Sequence, residues 1–207
     1  MTTFTILKQD LIDLTEDNSS AFATESLQFI ATAELRLSRE LQDCPGLYKH
    51  ATSTLTVSDP FITKPSDFVT MLSFQVLSSS AARTALEYRD ISYINEYWPT
   101  RTLATDGQVP KYYAHWDDGF FLVAPTPGIA LTIEMNYRRR FDALGDSTAT
   151  NWLTDNAYDA LLYGALIEAA VYNKNPQQQQ IYQQRYVDAV QSVNAELGLK
   201  RKDGFAG

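Results

Sequence analysis

The sequence contains a single cysteine, Cys44, and only two histidines among its 207 residues. One cysteine excludes an internal disulfide and is typical of proteins from a reducing compartment. His50 and His115 lie far apart, and neither has a second histidine or cysteine three or four residues away, as zinc-binding segments usually do. We therefore expect no metal and no cofactor, and a fold that its hydrophobic core stabilises alone.

Short enzyme motifs are absent as well. The sequence has no GxSxG, HExxH, Walker loop or GxGxxG. Asp117 and Asp118 precede Gly119, where turn formation explains them. Cys44 stands beside a Pro-Gly pair, without the surroundings of a catalytic nucleophile. We therefore expect no enzyme, and the competing hypothesis of an acid–base hydrolase depends on Glu34 or on the two aspartates.

The sequence also lacks a basic N-terminal segment followed by an apolar run, and it has no stretch typical of a membrane span. We expect a soluble protein that is made in the cytoplasm. The net charge of −8 repels nucleic acid at long range. A specific DNA reader is therefore not expected, since such proteins bind by neutralising phosphates. The same sign suits a protein past which DNA must slide.

Apolar residues at helical spacing occupy both ends of the sequence. They predict helices over residues 4–14 and about 21–42, and the Asp-Cys-Pro-Gly segment 43–46 ends the second. Near the other end they predict one helix over residues 156–173 and another over about 176–197. These four helices are expected to pack as an antiparallel bundle.

The C-terminal helices have recognisable boundary residues. Asn156 is the predicted N-cap of the first, with Asp159 in a position like that of a capping box. The second begins at Pro176, because a missing N–H has no cost at the first helical position. Gly198 is expected to end it, so that residues 198–207 form a short, basic, flexible tail.

The helix over residues 156–173 is apolar in nearly every direction, and only Asp159, Gly164 and Glu168 form a narrow polar line. A helix of this kind is buried on most sides, and its small residues let neighbouring helices approach closely. We interpret it as the central helix of the bundle. It carries more apolar surface than we expect one chain to cover, so we predict that copies of the chain close around an axis.

Between the helices the spacing changes to alternation with turn residues. The clearest predicted strands are 111–116, 120–124 and 129–137, and further strands are predicted at 52–57, 68–77 and 85–88, with a short helix at 91–97. Strands without intervening helices indicate an antiparallel sheet or small sandwich, and hence an α+β fold. The predicted organisation is N-terminal helices (1–46), a β-rich insertion (47–145), C-terminal helices (146–197) and the tail (198–207).

Two groups of side chains in this pattern each have two interpretations. Glu34 is expected to be a paired, buried carboxylate whose partner is Arg36, Arg39 or the cluster of Arg138, Arg139 and Arg140. That cluster is either a solvated edge with salt bridges or a nucleic-acid contact. The many aromatic residues of the insertion, Trp98 and Trp116 among them, are either core and interface residues or a platform for sugars.

Six segments, in this order, resemble the head-to-tail adaptor (connector) proteins of short-tailed double-stranded DNA bacteriophages. They are spread over most of the chain, from residue 29 to residue 170, and each is a packing pattern rather than a catalytic motif. The segments are 29–37 (FIATAELRL), 65–68 (PSDF), 109–113 (VPKYY), 122–127 (LVAPTP), 135–138 (MNYR) and 159–170 (DALLYGALIEAA).

The resemblance implies a structural subunit of a ring, of twelve copies in the family's usual form, that lies under the portal protein. Such a ring joins the DNA-filled head to the tail or nozzle protein, and lets DNA pass without specific binding, catalysis or a membrane. The protein would be found at the head–tail junction of the virion, and in the host cytoplasm during assembly. The alternative is a carbohydrate- or receptor-binding virion module built on the aromatic insertion.

The candidate residues fall into two sets. Portal binding is assigned to the C-terminal segment, because that segment commonly docks on the portal in such rings: Leu199, Lys200, Arg201, Lys202 and Phe205. Contacts between subunits are assigned to the central helix and to the buried and clustered charges: Tyr158, Leu162, Ala165, Glu34, Arg138 and Arg139.

Overall fold

A computed structural model of the chain describes residues 2–77, 82–101 and 104–203, with the last four of these described by backbone alone. The chain forms two compact units. Both chain ends, Met1–Leu47 and Arg140–Gly207, make up a helical unit, and Tyr48–Arg139 makes up a β unit. The predicted α+β fold, with helices from both ends and a β-rich insertion, is confirmed.

The elements follow one another along the chain in this order: α1 (Phe4–Thr15), α2 (Ser20–Glu40), β1 (Tyr48–Leu55), β2 (Phe61–Thr63), β3 (Phe68–Leu77), β4 (Arg83–Ala85), β5 (Glu87–Tyr88), α3 (Ile91–Tyr97), β6 (Tyr112–His115), β7 (Phe120–Ala124), β8 (Leu131–Arg139), α4 (Trp152–Asn156), α5 (Tyr158–Tyr172) and α6 (Pro176–Asp203).

Helix α5 is the centre of the helical unit and packs against α1, α2, α4 and α6. Eight of its fifteen residues are buried, in all directions around its axis. The helix is therefore covered largely by its own chain, more than sequence periodicity alone indicated, because periodicity does not reveal how many helices of the same chain surround it. Val171 and Tyr172 at its C-terminal end remain exposed, and the association of copies around an axis stays a prediction.

Close packing around α5 depends on Gly164. A methyl group placed at Gly164 would lie 3.0 Å from Cβ of Ala33 in α2 and 3.2 Å from Cε2 of Tyr186 in α6. Both distances are shorter than ordinary van der Waals contact. The hydroxyl of Tyr186 donates to the Glu40 carboxylate at 2.7 Å, and the Arg36 guanidinium lies 5.0 Å from its ring centre. Gly164 thus lets the polar contacts between α2 and α6 form across α5.

Helix boundaries differ from the predicted ones at two points. The N-cap is Asn151, whose side chain accepts from the N–H groups of Leu153 and Thr154 and begins the short helix α4. Asn156 is the last residue of α4, and α5 has no side-chain cap. Helix α6 continues through Gly198 to Asp203, so part of the predicted flexible tail is helical. One glycine costs a helix only about 1 kcal/mol, which its neighbours can offset.

The β unit contains two four-stranded sheets, in the orders β1-β8-β3-β4 and β2-β7-β6-β5. All pairs are antiparallel except β5 with β6. Strand β1 pairs with β8 along its whole length, from Tyr48 opposite Arg138 to Leu55 opposite Leu131. Strands β3, β6, β7 and α3 match the predicted elements closely, whereas the three-residue β2 is too short to give an alternation signal.

Alternating side chains of both sheets form one apolar core of the β unit, with Phe74, Phe121 and Ile133 among its fully buried members. On β6 and β7 the other face carries Ala114, Leu122 and Ala124, which form a second cluster with Ile94 of α3. The sheet β2-β7-β6-β5 is therefore covered on both faces. This explains why β7 reads as a continuous apolar run rather than as an alternation.

We predict that Gly164→Val lowers the free energy of unfolding by about 1–3 kcal/mol, since the new methyl groups meet Ala33 and Tyr186. The matched control is Gly198→Ala in α6, where a Cβ would meet no atom within 4 Å. That change should stabilise the protein by about 0.5–1 kcal/mol through helix propensity. Urea denaturation measures both, and equal effects of the two substitutions would contradict the packing described here.

Candidate assembly surfaces

Glu34 lies on α2 and is only 7% exposed. Its carboxylate accepts from the amide of Asn151 at 2.6 Å and from the N–H of Leu144, which lies 3.3 Å from each oxygen. Of the predicted arginine partners, Arg36 faces Glu40 instead, at 3.5 Å. Burial raises the pKa of Glu34 from 4.5 to about 7, against the opposing effect of the two hydrogen bonds.

Asn151 is a polar residue whose role the sequence pattern did not reveal. Its side-chain amide donates both to Glu34 and, at 2.9 Å, to the backbone carbonyl of Asp142, while its oxygen caps α4. The residue thus joins three segments of the helical unit. A capping asparagine immediately before Trp152-Leu153-Thr154 was the only sequence signal for it.

A cavity of about 160 Å³ opens beside Glu34. Its lining is mainly apolar, and Arg140 lines it as well. Alanine, leucine and serine side chains of α2 form one wall, and the segment that follows β8 forms another: Ala31, Leu35 and Ser38 on α2, and Phe141 and Ala143 on the segment. The Asp142 carboxylate is close enough for its charge to add to the rise in the pKa of Glu34.

The three candidate interface residues of α5 differ in exposure. Ala165 is fully buried inside the helical unit, so its side chain has no surface to offer to another copy, which corrects its assignment. Tyr158 and Leu162 are half-buried. Burial and a hydrogen bond donated to the Asp10 carboxylate raise the pKa of the Tyr158 hydroxyl.

Arg138 and Arg139 lie at the end of β8 and are half-buried. Arg139 faces the Asp67 carboxylate at 3.8 Å, and that carboxylate also accepts from Lys49 and Tyr137, both at 2.8 Å. Despite partial burial, these donors hold the pKa of Asp67 below its ordinary value. Arg140 belongs to the helical unit, where it lines the cavity beside Glu34.

The predicted portal-binding segment follows the buried Leu197 of α6, and its first residue, Leu199, is 63% exposed. Lys200, Arg201 and Lys202 continue the helix, and Phe205 lies outside the described residues. Most of the Leu199 side chain is therefore available for a contact with another molecule.

The two candidate sugar-binding tryptophans are packed against other rings. Trp98 lies 5.4 Å from Tyr112 and 6.2 Å from Tyr93, measured between ring centres. Trp116 lies 5.4 Å from Phe61, and the Arg101 guanidinium lies 4.5 Å from its ring centre. Both rings thus take part in packing within the β unit, and Trp116 keeps 37% of its surface exposed.

Charge is distributed unequally between the two units. The helical unit has sixteen acidic and nine basic side chains, a net charge of −7, which leaves −1 for the β unit. No group of three His, Cys, Asp or Glu residues in the described ranges could hold a metal ion. No helix in those ranges has both the length and the apolar character needed to cross a membrane.

A comparison with known protein families identifies the class of protein. The family model described as SU10 adaptor protein matches residues 2–203, nearly the whole chain. The chain belongs to the SU10 adaptor protein family. The resemblance to phage head-to-tail adaptors is thereby confirmed. No curated protein matches the chain. The adaptor is thus a phage structural protein, and the match spans both the helical and the β unit.

We predict that the stability of the adaptor falls as the pH rises from about 5 to 8. The pKa of Glu34 is about 7 in the folded protein and 4.5 in its ordinary environment, so the folded state binds more protons within this range. The free energy of unfolding therefore falls with increasing pH, by up to about 3 kcal/mol from this residue.

Melting temperatures across this pH range test the prediction in three proteins. Glu34→Gln should remove the downward slope, because the amide does not titrate. Glu25→Gln is the control on the same helix, since Glu25 is exposed, and it should keep the wild-type slope. A Glu34→Gln slope equal to that of wild type would show that burial of this carboxyl does not control the pH dependence.

Proposed function

We propose that this adaptor is a subunit of a ring, of twelve copies by the family resemblance, that joins the portal protein to the tail or nozzle protein and surrounds the path of the DNA. The family membership supports a structural role in the virion. Assembly would take place in the host cytoplasm, and the ring would lie at the head–tail junction. The proposal includes no catalytic step and no cofactor.

The observation that carries the portal contact is the exposed Leu199 near the C-terminal end of α6. The helix continues six residues beyond the buried Leu197 to Asp203, which corresponds to about 9 Å. The leucine at position 199 is followed by three consecutive cations of the sequence, Lys200, Arg201 and Lys202. Apolar and basic side chains on a helix end are suited to a groove with an apolar floor and an acidic rim.

Electron microscopy of the purified adaptor mixed with portal tests the ring. We expect ring-shaped density on one face of the portal. A variant that lacks residues 198–207 should fail to bind the portal, because it loses the end of α6 that we propose contacts the portal. Adaptor that stays a free monomer in the presence of portal would overturn the proposal.

Charge reversal tests whether the basic residues at the end of α6 contribute to portal binding. Lys200→Glu with Lys202→Glu should weaken portal binding, since two attractive charges become repulsive. Lys8→Glu with Lys111→Glu changes the net charge by the same amount and lies elsewhere on the chain, so this control should bind as wild type does. Biolayer interferometry on immobilised portal measures both, and equal loss in the two variants would mean that net charge alone matters.

The DNA path is tested separately. With a net charge of −8, the adaptor should not hold duplex DNA at physiological salt, because it offers few cations to replace the released counterions. Fluorescence anisotropy of a labelled duplex should show no binding by the adaptor, alone or on the portal. Tight binding that weakens steeply with added salt would contradict a passive channel.

A further inference from the structure

The first part of α6 has an exposed surface that carries amides instead of charges. Residues 175–184 contain no charged side chain, the longest such stretch in the helical unit, and six of these ten residues are glutamines. Gln177, Gln180 and Gln184 are exposed. A groove of about 400 Å³ runs along this part of the helix. We call the residues that line it the amide face: Gln179, Gln180, Gln183, Gln184 and Val187.

Most amides of this face are available to another molecule. The side chains of Gln179, Gln180 and Gln183 make no hydrogen bond within the part of the chain that the structure describes. Gln184 donates to the carboxylate of Asp188 at 3.0 Å. Each glutamine amide has two N–H donors and one carbonyl acceptor. The amide face therefore offers several hydrogen-bond donors to the solvent without a fixed charge.

The charges around the amide face differ from those of the other helices. Residues 169–187 contain Lys174 and Arg185 and no carboxylate, whereas the remainder of the helical unit has a net charge of −9. Arg185 is directed toward α5, where its guanidinium donates to the hydroxyl of Tyr163 at 3.1 Å. Helix α1 and the turn after it carry four carboxylates between residues 10 and 17. A polyanion beside the amide face thus meets neither a row of carboxylates nor a row of cations.

A second protein chain is a poor match for this surface. The centres of protein interfaces are enriched in aromatic residues, methionine and arginine. A glutamine that is buried there must find a partner for each of its polar atoms, and its flexible side chain must become ordered. Val187 is the only apolar residue among the five that line the groove. The composition of the amide face therefore favours a partner that leaves it hydrated.

The backbone of duplex DNA has the properties of such a partner. Phosphate oxygens accept hydrogen bonds from glutamine amides, and these contacts carry no sequence information. At physiological salt, charges act over about 8 Å. Within that distance carboxylates would repel the phosphates, and cations would hold the DNA through counterion release. Amide donors do neither, so DNA can slide along them.

We propose that the amide face of α6 lines the DNA path of the ring, where its glutamines exchange hydrogen bonds with water for hydrogen bonds with passing phosphates. This inference rests on the proposed function, and it names the surface that meets the DNA. Leu199 lies nineteen residues beyond Gln180 on the same helix, which corresponds to about 28 Å. The surface toward the DNA and the end toward the portal are therefore separate parts of α6.

Cations placed in the amide face should convert a passive wall into one that holds DNA. Rings of Gln180→Arg with Gln183→Arg on the portal should bind a labelled duplex at least about tenfold more tightly than wild-type rings do. This binding should weaken steeply between about 50 and 200 mM salt, because the added arginines release counterions. Fluorescence anisotropy measures the affinity, and electron microscopy establishes that the rings have formed.

The matched control is Thr54→Arg with Thr132→Arg. These two exposed threonines lie opposite each other on β1 and β8, and the control adds the same charge to the β unit. Its rings should bind DNA no better than wild-type rings. An equal gain in both variants, or no gain in rings of the Gln180 and Gln183 variant, would overturn this inference and leave the proposed function intact. If wild-type rings do not form on the portal, the proposed function fails first and the inference fails with it.

Photocross-linking gives a second measurement that leaves the charge unchanged. Cys44 is buried, so in the described part of the chain a benzophenone maleimide should label only the thiol of a Gln180→Cys variant. Illumination of labelled rings on the portal with excess duplex should give protein–DNA adducts, whereas Thr54→Cys rings should give none. Adducts from Thr54→Cys without adducts from Gln180→Cys would overturn the inference, because the β unit would then line the DNA path.

Discussion

The helical unit depends on the close approach of α2 and α6 to α5 at Gly164. With no side chain there, Ala33 and Tyr186 occupy the space that a Cβ would take. Helix α5 then fills its other directions with small and aliphatic residues that its own chain covers. This arrangement buries a helix that has no polar face, and it leaves the outer sides of α2 and of the α5–α6 hairpin available for contacts with other molecules.

A buried carboxyl is the second constraint. Glu34 could have been neutralised by an arginine, yet its partners are a backbone N–H and the amide of Asn151. Neutral donors compensate for desolvation only in part, and its pKa therefore stays well above the ordinary value. Because Asn151 also caps α4 and binds the carbonyl of Asp142, one carboxyl connects α2 with the segment that leads into the C-terminal helices.

Family membership supplies the class of protein, a phage adaptor with a structural role. The exposed side chains of the helical unit, Leu199 among them, are those through which we propose that the adaptor meets its partners.

Periodicity and turn residues by themselves determined the element types. The 3.6-residue spacing of α1 and α2, the alternation of β3 and the Asp-Asp-Gly turn between β6 and β7 follow from local preferences, and the order of segments was sufficient for the family. Tertiary structure alone decided what covers each apolar residue. It covered most of α5 with its own chain, left Leu27 and Leu35 exposed, gave Glu34 an amide partner and extended α6 past Gly198. These outcomes depend on which distant segments meet, and a pattern read along one segment contains no information about its neighbours in space.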